Sequence, residues 1–271
     1  MECPIKDDVK GNDQGTEIVE TAKKYLYSYF GSNEKALVSS ILTGDNDQIM
    51  KLVDKNVDLN IVDENGNGML YVAVQGNQPQ TIVFLVNLGL DINMLNQQGI
   101  NPLMYAIKLR NDLVASEIIK IQSLRINELD RKGRTALHYA ARYGAAKIAN
   151  QLLEAGINVD VVDAKGNNAL HVCAKTGNFN VAKVLLRWHV DTERKNKHEF
   201  IPLGVAVFHK RREMVGLILA AMRGTQHKDF EGIVKTMLDL PGDKIHYMKV
   251  LENTPVSFSG GVNDFETYRV E

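Results

Sequence analysis

Leucine recurs through the middle of the chain at a nearly constant interval. The intervals are 33, 33, 34, 33 and 33 residues, and the leucines are Leu37, Leu70, Leu103, Leu137, Leu170 and Leu203. A small residue stands three positions after each of them, namely Ser40, Ala73, Ala106, Ala140, Cys173 and Ala206. The i, i+3 spacing puts each pair on one face of a short helix, and the small residue lets a second helix approach closely. A fixed period of this size predicts a stack of repeated units.

A second helix and a turn complete each predicted unit. The second helices carry apolar pairs, which are Leu85-Val86, Ile118-Ile119, Leu152-Leu153, Leu185-Leu186 and Ile218-Leu219. Between units lie Asx-x-x-Gly segments, which begin at Asp63, Asn96, Asp130 and Asp163. In such turns the Asp or Asn side chain accepts hydrogen bonds from the backbone ahead of it, and glycine supplies a positive φ. Because no unit can bury its apolar face alone, the units must stack.

The two clearest copies of the pattern begin at Asp130 and Asp163. Both contain an Asp-x-x-Gly turn, and the first continues as Thr-Ala-Leu-His-Tyr-Ala-Ala from Thr135. This pattern resembles the ankyrin repeat family over about residues 34–224. The resemblance implies an all-α solenoid of about five helix-turn-helix units with short β-hairpin-like turns between them. An atypical unit, residues 34–62, precedes them as an N-terminal cap.

The flanking segments give the remaining predicted boundaries. Residues 1–15 are polar and acidic, which predicts disorder. Residues 16–33 carry apolar positions at helical spacing and are predicted to form an N-terminal capping helix. Residues 225–253 are predicted as a C-terminal helical cap, and residues 254–271 as a flexible acidic tail.

Composition restricts the class of protein. The 271 residues include 44% hydrophobic residues, no apolar run long enough to span a membrane and no signal-peptide core. Only two cysteines are present, Cys3 and Cys173, and we expect Cys173 to be a small buried core residue. The cysteine usage fits a reducing compartment, so we expect a cytoplasmic or nuclear location.

Candidate chemistry is sparse. His138 and His171 stand 33 residues apart, but no third metal ligand recurs with them. The ankyrin resemblance implies that these histidines bond the turn backbone between units. No phosphate loop, nucleophile elbow or zinc-protease motif is present in the sequence. We therefore expect no cofactor and no enzymatic activity, because residues 225–271 are too few for a catalytic domain of their own.

Charge is distributed unevenly along the chain. Residues 126–224 contain 16 Lys and Arg against 9 Asp and Glu, a net of +7, whereas the rest contains 16 against 24, a net of −8. By the resemblance, the turn tips and the ends of the first helices line a concave partner-binding face. In the early units these positions are mostly uncharged, whereas the later units place basic and aromatic residues there. The predicted binding residues are Arg131, Lys132, Arg134, Arg142, Tyr143, Lys165, Asn167, Lys175, Lys197, His198, Phe200, Phe208 and His209.

A basic face of one sign predicts an acidic partner. The leading hypothesis is a scaffold, adaptor or inhibitor that binds an acidic protein or peptide segment. A second is binding of nucleic acid, which would weaken steeply with salt. A third has the acidic segments 1–21 or 252–271 covering the same face in competition with a partner.

A further alternative concerns the C-terminal region. The segment Leu240-Pro241-Gly242-Asp243-Lys244-Ile245 and the later Val250-Leu251 are distantly similar to the start of an F-box. That similarity would make the chain a substrate adaptor of a ubiquitin ligase. Neither the partner nor the oligomeric state is indicated by the sequence.

Overall fold

Residues 31–224 are described by the computed structural model, and this part of the chain consists of six consecutive helix pairs. The chain separates into two compact units, the first ending at Arg131 and the second beginning at Lys132. The first unit contains α1 Ser32–Thr43, α2 Asn46–Val53, α3 Met69–Gln75, α4 Pro79–Asn87, α5 Pro102–Lys108 and α6 Asp112–Ile119. The second contains α7 Ala136–Tyr143, α8 Ala146–Glu154, α9 Ala169–Thr176, α10 Phe179–Arg187, α11 Pro202–Phe208 and α12 Arg212–Gly224.

The recurring leucines form the core within each unit. All six are at most 1% exposed, and the five small residues from Ala73 to Ala206 that follow them are fully buried. Within each unit the first helices pack on one another in sequence, and so do the second helices. Most of these helices have only seven to nine residues, which is too short for independent stability in water. Their stability therefore comes from stacking, as expected for a repeat array.

The turns between successive repeats share one pattern of hydrogen bonds. In the turn at Asp63, its N–H donates to Asn67 O over 3.0 Å, and its Oδ1 accepts from the N–H of Asn65 and Asn67, each over 2.8 Å. The turns at Asn96, Asp163 and Asn196 repeat this arrangement. Successive turns are also joined, since Gln97 N–H donates to Asn65 O over 2.9 Å. The predicted hairpin-like turns with Asx caps are confirmed.

Side-chain amides add a second set of bonds to the turns. Asn67 donates through Nδ2 to Asp63 Oδ2 over 3.0 Å and accepts from Asn96 Nδ2 over 2.8 Å. In the second unit, Asn167 stands between Asp163 and Asn196 in the same way. Each buried amide is thereby paired, which removes the free-energy cost of burying it unpaired.

The all-α repeat solenoid predicted from the sequence is confirmed, with five regular helix pairs after the atypical α1–α2 pair. α1 begins at Ser32. The N-terminal capping helix, the C-terminal cap and both tails lie outside the described residues and stay predictions. Where the glycine of the pattern is missing, Arg110 and Glu199 occupy its left-handed conformation with φ of 59° and 61°. The fold therefore determines the backbone at these positions even when the residue does not favour it.

Candidate partner-binding surface

The two recurring histidines are structural. His138 is 2% exposed, and its Nε2 lies 3.0 Å from Asn167 O in the turn that follows. Its Nδ1 accepts from the N–H of Thr135 over 3.2 Å, so the ring donates through Nε2. Thr135 and His138 also form a capping box at the start of α7. The ring therefore links a helix start to the next turn, as the family resemblance implied.

His171 has the same arrangement in the next repeat, 33 residues further along the chain. Its Nε2 lies 2.9 Å from Phe200 O, and Asn168 N–H approaches Nδ1 at 3.3 Å. Burial lowers the pKa of His171 below its usual value of 6.5, against a weaker upward effect of the Phe200 bond. Cys173 is fully buried, and burial raises the pKa of its thiol. Among the described residues no group of His, Cys, Asp or Glu could hold a metal ion.

Three lysines lie at the tips of consecutive turns in the second unit. Ala164 N–H donates to Lys132 O over 2.8 Å, and Lys197 N–H donates to Lys165 O over 2.9 Å. The backbone bonds thus place Lys132, Lys165 and Lys197 along one row, and all three are exposed. Within the described residues, Lys165 and Lys197 have no ion pair. The row is a strip of like charge on this unit.

A cluster of two arginines and two tyrosines lies just before and along α7. Arg134 Nη2 donates to Tyr139 Oη over 2.8 Å, and its Cζ lies 4.7 Å from the centre of that ring. Tyr139 stacks on Tyr143 with ring centres 6.3 Å apart, and Arg142 Cζ lies 5.9 Å from the Tyr143 ring. Cation–π contact fixes a guanidinium without neutralising it. Arg142 therefore remains an exposed cation with a defined position.

A second aromatic cluster lies around the end of α11. Phe208 is 54% exposed, with its ring centre 6.0 Å from that of Phe200 and 5.2 Å from that of His209. Lys175 and Arg211 lie close enough to His209 to lower its pKa, after the larger effect of burial. Arg211 is held there by Nε, which donates to Lys175 O over 3.4 Å. Basic and aromatic side chains of this surface are thus in contact both along α7 and around the end of α11.

The family of the chain is decided by its sequence match. The family described as "Ankyrin repeats (3 copies)" matches residues 14–120, 70–163 and 151–229. The chain belongs to the ankyrin repeat family. An ankyrin array is a protein–protein interaction module, so protein partners are indicated for this chain.

Two solved structures and a curated relative are similar to the chain. An ankyrin repeat domain of Acinetobacter baumannii matches with a TM-score of 0.61 at 25% identity, over 69% of this chain and 98% of that one. A chain from the complex of a predatory endopeptidase of Bdellovibrio bacteriovorus with an immunity protein matches with a TM-score of 0.60 at 26% identity, over 69% and 97%. An L-asparaginase of Dirofilaria immitis is 26% identical over 153 residues, which are 53% of this chain and 26% of the relative.

The chain spans only a fraction of the curated relatives that it matches, between 5% and 26% of their length among those compared. Their similarity therefore concerns the repeat array, and their whole-protein activities are not transferred. No helix of the described residues is long and apolar enough to cross a membrane.

The predicted binding residues differ in their surroundings. Arg131 belongs to the first compact unit and the other twelve belong to the second. Asn167 already uses its amide to bond Asp163 and Asn196, whereas His198 is exposed. The remaining members lie in the lysine row and the two aromatic clusters.

Tyr139 and Arg211 belong to this surface but are not among the thirteen predicted binding residues. Tyr139 is 4% exposed and holds Arg134, and Arg211 contacts the end of α9. The signal for Arg211 was present, because the run Lys210-Arg211-Arg212 extends the basic face. Tyr139 gave no such signal, because the position after the histidine holds Val in three of the five regular repeats and Tyr in two, which does not distinguish a surface residue from a packed one.

Trp188 contacts the neighbouring second helix. It follows α10, and its Nε1 donates to Asn150 Oδ1 of α8 over 3.4 Å. The residue is nevertheless 41% exposed. The indole therefore touches the neighbouring second helix and leaves much of its surface in solvent.

Proposed function

We propose that this ankyrin protein is a non-enzymatic binding module, a scaffold, adaptor or inhibitor, that holds an acidic protein segment on the second-unit surface. One observation carries the proposal. Arg142, Lys165, Lys175 and Lys197 are exposed and have no ion pair among the described residues. Surface charges of a stable domain usually alternate in sign, so a one-signed set favours an external anion.

The aromatic side chains strengthen the proposal. Tyr143 and Phe208 lie within the same surface, and Arg and aromatic residues dominate the energetics of protein interfaces. Residues 132–222 carry 14 Lys and Arg against 7 Asp and Glu, a net of +7. A field of this sign increases the rate at which acidic partners associate. A cytoplasmic or nuclear location is part of the same proposal.

A charge-reversal pair of variants tests this function. The probe is a rhodamine-labelled peptide of four Glu-Glu-Leu repeats, and a Gln-Gln-Leu peptide reports binding that needs no charge. Replacing Arg142, Lys165 and Lys197 by Glu should weaken probe binding by about tenfold or more, because three favourable ion contacts become repulsive. Fluorescence anisotropy of the full chain measures the affinity.

The matched control reverses the same charge elsewhere on the second unit. Lys147 and Arg187 are exposed residues of α8 and α10, and Lys183 is a half-buried residue of α10. Replacement of these three by Glu should change affinity far less. Equal losses in the two triple variants, or no probe binding by the wild type, would rule the proposal out. The same purified variants can then be used to capture the natural partner.

Nucleic acid remains the alternative occupant of this surface. The charge row alone would suit phosphates, but the net charge of the whole chain is −1. A 20-nucleotide single strand and its duplex provide the comparison. Binding tighter than that of the peptide, with a steep fall between low and physiological salt, would replace the acidic-protein proposal by this one.

The inhibitor version of the proposal has one structural precedent. A chain of similar fold occurs in the Bdellovibrio bacteriovorus complex of an endopeptidase with an immunity protein. The adaptor version rests on residues 240–251, which lie outside the described part of the chain. A pull-down for the linker subunit of a ubiquitin ligase tests it, and absence of that subunit would end it.

A further inference from the structure

Three basic residues come together where the end of α9 lies against the turn between α11 and α12. Lys175 lies in the last turn of α9, His209 follows the last residue of α11, and Arg211 precedes α12. The backbone fixes this arrangement, since Arg211 N–H donates to Ala206 O over 2.9 Å and His209 N–H to Val205 O over 3.0 Å. Arg211 Nε reaches across to Lys175 O. The three groups therefore come from two repeats and are held together by the fold.

The charges that act on His209 are all positive. Lys175 acts on it from α9, and Arg211 acts from the start of α12. Lys210 and Arg212 on the same turn add further positive charge, whereas Glu213 is the one carboxylate in the first turn of α12 and is not among the groups that shift His209. Within the described residues, neither Lys175 nor Arg211 has an ion pair. Repulsion among them destabilises the chain by itself, and a bound anion would relieve it.

An exposed aromatic ring lies beside this basic group. Phe208 packs edge-on against His209 and is supported from the other side by Phe200. It is more than half exposed, although it sits at the centre of these contacts. An exposed ring next to unpaired cations suits a ligand that carries a negative charge and an apolar side chain close together.

We propose that Lys175, His209 and Arg211 form a site for a carboxylate of the acidic partner segment, and this proposal rests on the function proposed above. Phe208 holds the apolar side chain that neighbours the carboxylate. Protonation of His209 strengthens its contact with the carboxylate, so the protein binds its partner with higher affinity in mildly acidic conditions. Phe200, three residues after Lys197, packs on Phe208, so the site is connected to the last turn of the lysine row and orients the partner segment relative to it.

The direction of the pH effect follows from linkage. Burial, Lys175 and Arg211 lower the pKa of His209, which leaves the ring neutral near pH 7. A carboxylate bound beside the ring opposes the two cations and raises that pKa. By reciprocity, protonating His209 increases the affinity for the carboxylate by the same factor. Binding must therefore tighten as the pH falls through the range in which His209 becomes protonated.

The test compares probe binding by the full chain at pH 7.8 and pH 5.8. Glutamate titrates near pH 4.3, about 1.5 units lower, so the Glu-Glu-Leu probe keeps most of its charge at both values. Wild type should bind about threefold more tightly at pH 5.8, as expected for one added ion contact near the surface. The His209→Gln variant should bind the probe with equal affinity at the two pH values. His189→Gln, which removes an exposed histidine that is not among the predicted binding residues, should keep the threefold gain.

An NMR titration of the His209 ring gives a second readout. Its midpoint should move to higher pH when the probe is added, and also in Lys175→Met without the probe. Circular dichroism at pH 5.8 and 7.8 confirms that each variant is folded. A pH gain that persists in His209→Gln, or a midpoint that the probe does not move, would overturn the site while leaving the proposed function intact. No binding at either pH would instead remove the proposed function and the site together.

The apolar part of the site is tested with a second probe in which Ser replaces each Leu. Phe208→Ala should weaken binding of the Glu-Glu-Leu peptide by about fivefold, within the range of interface aromatic truncations. It should leave binding of the Glu-Glu-Ser peptide unchanged. Equal losses for both peptides would show that Phe208 acts only through the shape of the turn and would overturn its assigned role.

Discussion

Gly76 illustrates how strongly a single residue can be constrained by stacking. It follows α3, and a Cβ placed there would lie 2.6 Å from Leu42 O and 2.8 Å from Leu42 Cα. Both atoms belong to backbone, which cannot move aside without shifting α1. The φ of Gly76 is −72°, so the requirement is for space and not for an unusual backbone conformation.

We therefore expect Gly76→Ala to lower the free energy of unfolding by about 1–3 kcal/mol through overpacking. Urea denaturation measures the change. Gly68→Ala is the matched control, because the atom nearest to its added Cβ is the terminal methyl group of Met94, a flexible side chain. A loss in Gly76→Ala no greater than that in Gly68→Ala would contradict the packing argument.

Glu199 is a second constrained position, and here the constraint is conformational. Its φ of 61° lies in the left-handed region, at the place that Gly166 occupies in the preceding turn with φ of 76°. A side chain in that region costs about 1–2 kcal/mol. The ion pair of Glu199 with Lys195, at 3.3 Å between two largely exposed side chains, offsets little of this.

Glu199→Gly should accordingly raise the free energy of unfolding by about 1 kcal/mol, after allowing for the greater freedom of glycine in the unfolded chain. Thermal and urea denaturation both report it. Gly166→Glu, the reverse change in the equivalent turn, should destabilise by more than this, because its added Cβ would also lie 3.0 Å from the backbone N of Lys197. A destabilised Glu199→Gly would show that the side chain makes a contribution larger than the strain.

At the scale of elements, three first helices of the described part of the chain are each attached to the following turn by a buried side chain, which is Tyr71 in α3, His138 in α7 and His171 in α9. His171 has this role for α9, because its ring reaches Phe200 O in the following turn. Burial lowers its pKa, so the folded state holds the ring neutral. The unfolded state, with a pKa near 6.5, binds the proton first as the pH falls.

The stability that His171 contributes is thus fully present above about pH 6.5 and is lost as the pH falls toward its lower folded pKa. We expect the free energy of unfolding to decrease from pH 7.5 to pH 5.5 in urea titrations. His171→Gln should be less stable at pH 7.5 and should show a flatter dependence on pH. The exposed His189 provides the control, since His189→Gln should keep the wild-type slope. If the free energy of unfolding of His171→Gln depended on pH as steeply as that of wild type, a group other than His171 would be responsible for the pH dependence.

The elements themselves could be predicted from sequence because their signals are local and repeated. The leucine register identified which face of each first helix is buried, and the Asx residues identified where each turn starts. The αL conformation of Arg110 and Glu199 also follows from register, because equivalent residues are glycine in other units. The contacts of the surface residues did not follow. The periodic pattern places Tyr139, Phe200 and Trp188 in the repeat but does not determine which neighbour each side chain meets.

At the scale of the whole molecule, the two compact units differ in charge. Residues 31–131 carry 8 Lys and Arg against 12 Asp and Glu, a net of −4, and residues 132–222 carry a net of +7. In a repeat array each unit contacts only its neighbours, so the core can stay nearly constant while the surface changes from one part to another. The proposed function uses that freedom, since it assigns the acidic partner to the positive unit alone.

Hydrogen exchange can determine which of the two compact units binds the acidic peptide. With the Glu-Glu-Leu probe at about ten times its Kd, amides covered by it should exchange roughly tenfold more slowly, because exchange then requires the free state. We expect the slowing in the turns at residues 163–166 and 196–199 and at the ends of α7, α9 and α11. The corresponding turns of the first unit, residues 63–66 and 96–99, have the same backbone bonding and serve as internal controls.

The pattern of slowing distinguishes local binding from general stabilisation. A ligand that merely shifted the unfolding equilibrium would protect the most stable amides of its cooperative unit, which are those of the buried helices. A ligand seated on the turn tips protects amides that open without global unfolding. Slowing in the first-unit turns equal to that in the second would contradict the assignment of the acidic segment to the positive unit, because the two sets of turns share their hydrogen bonds and differ mainly in their charge.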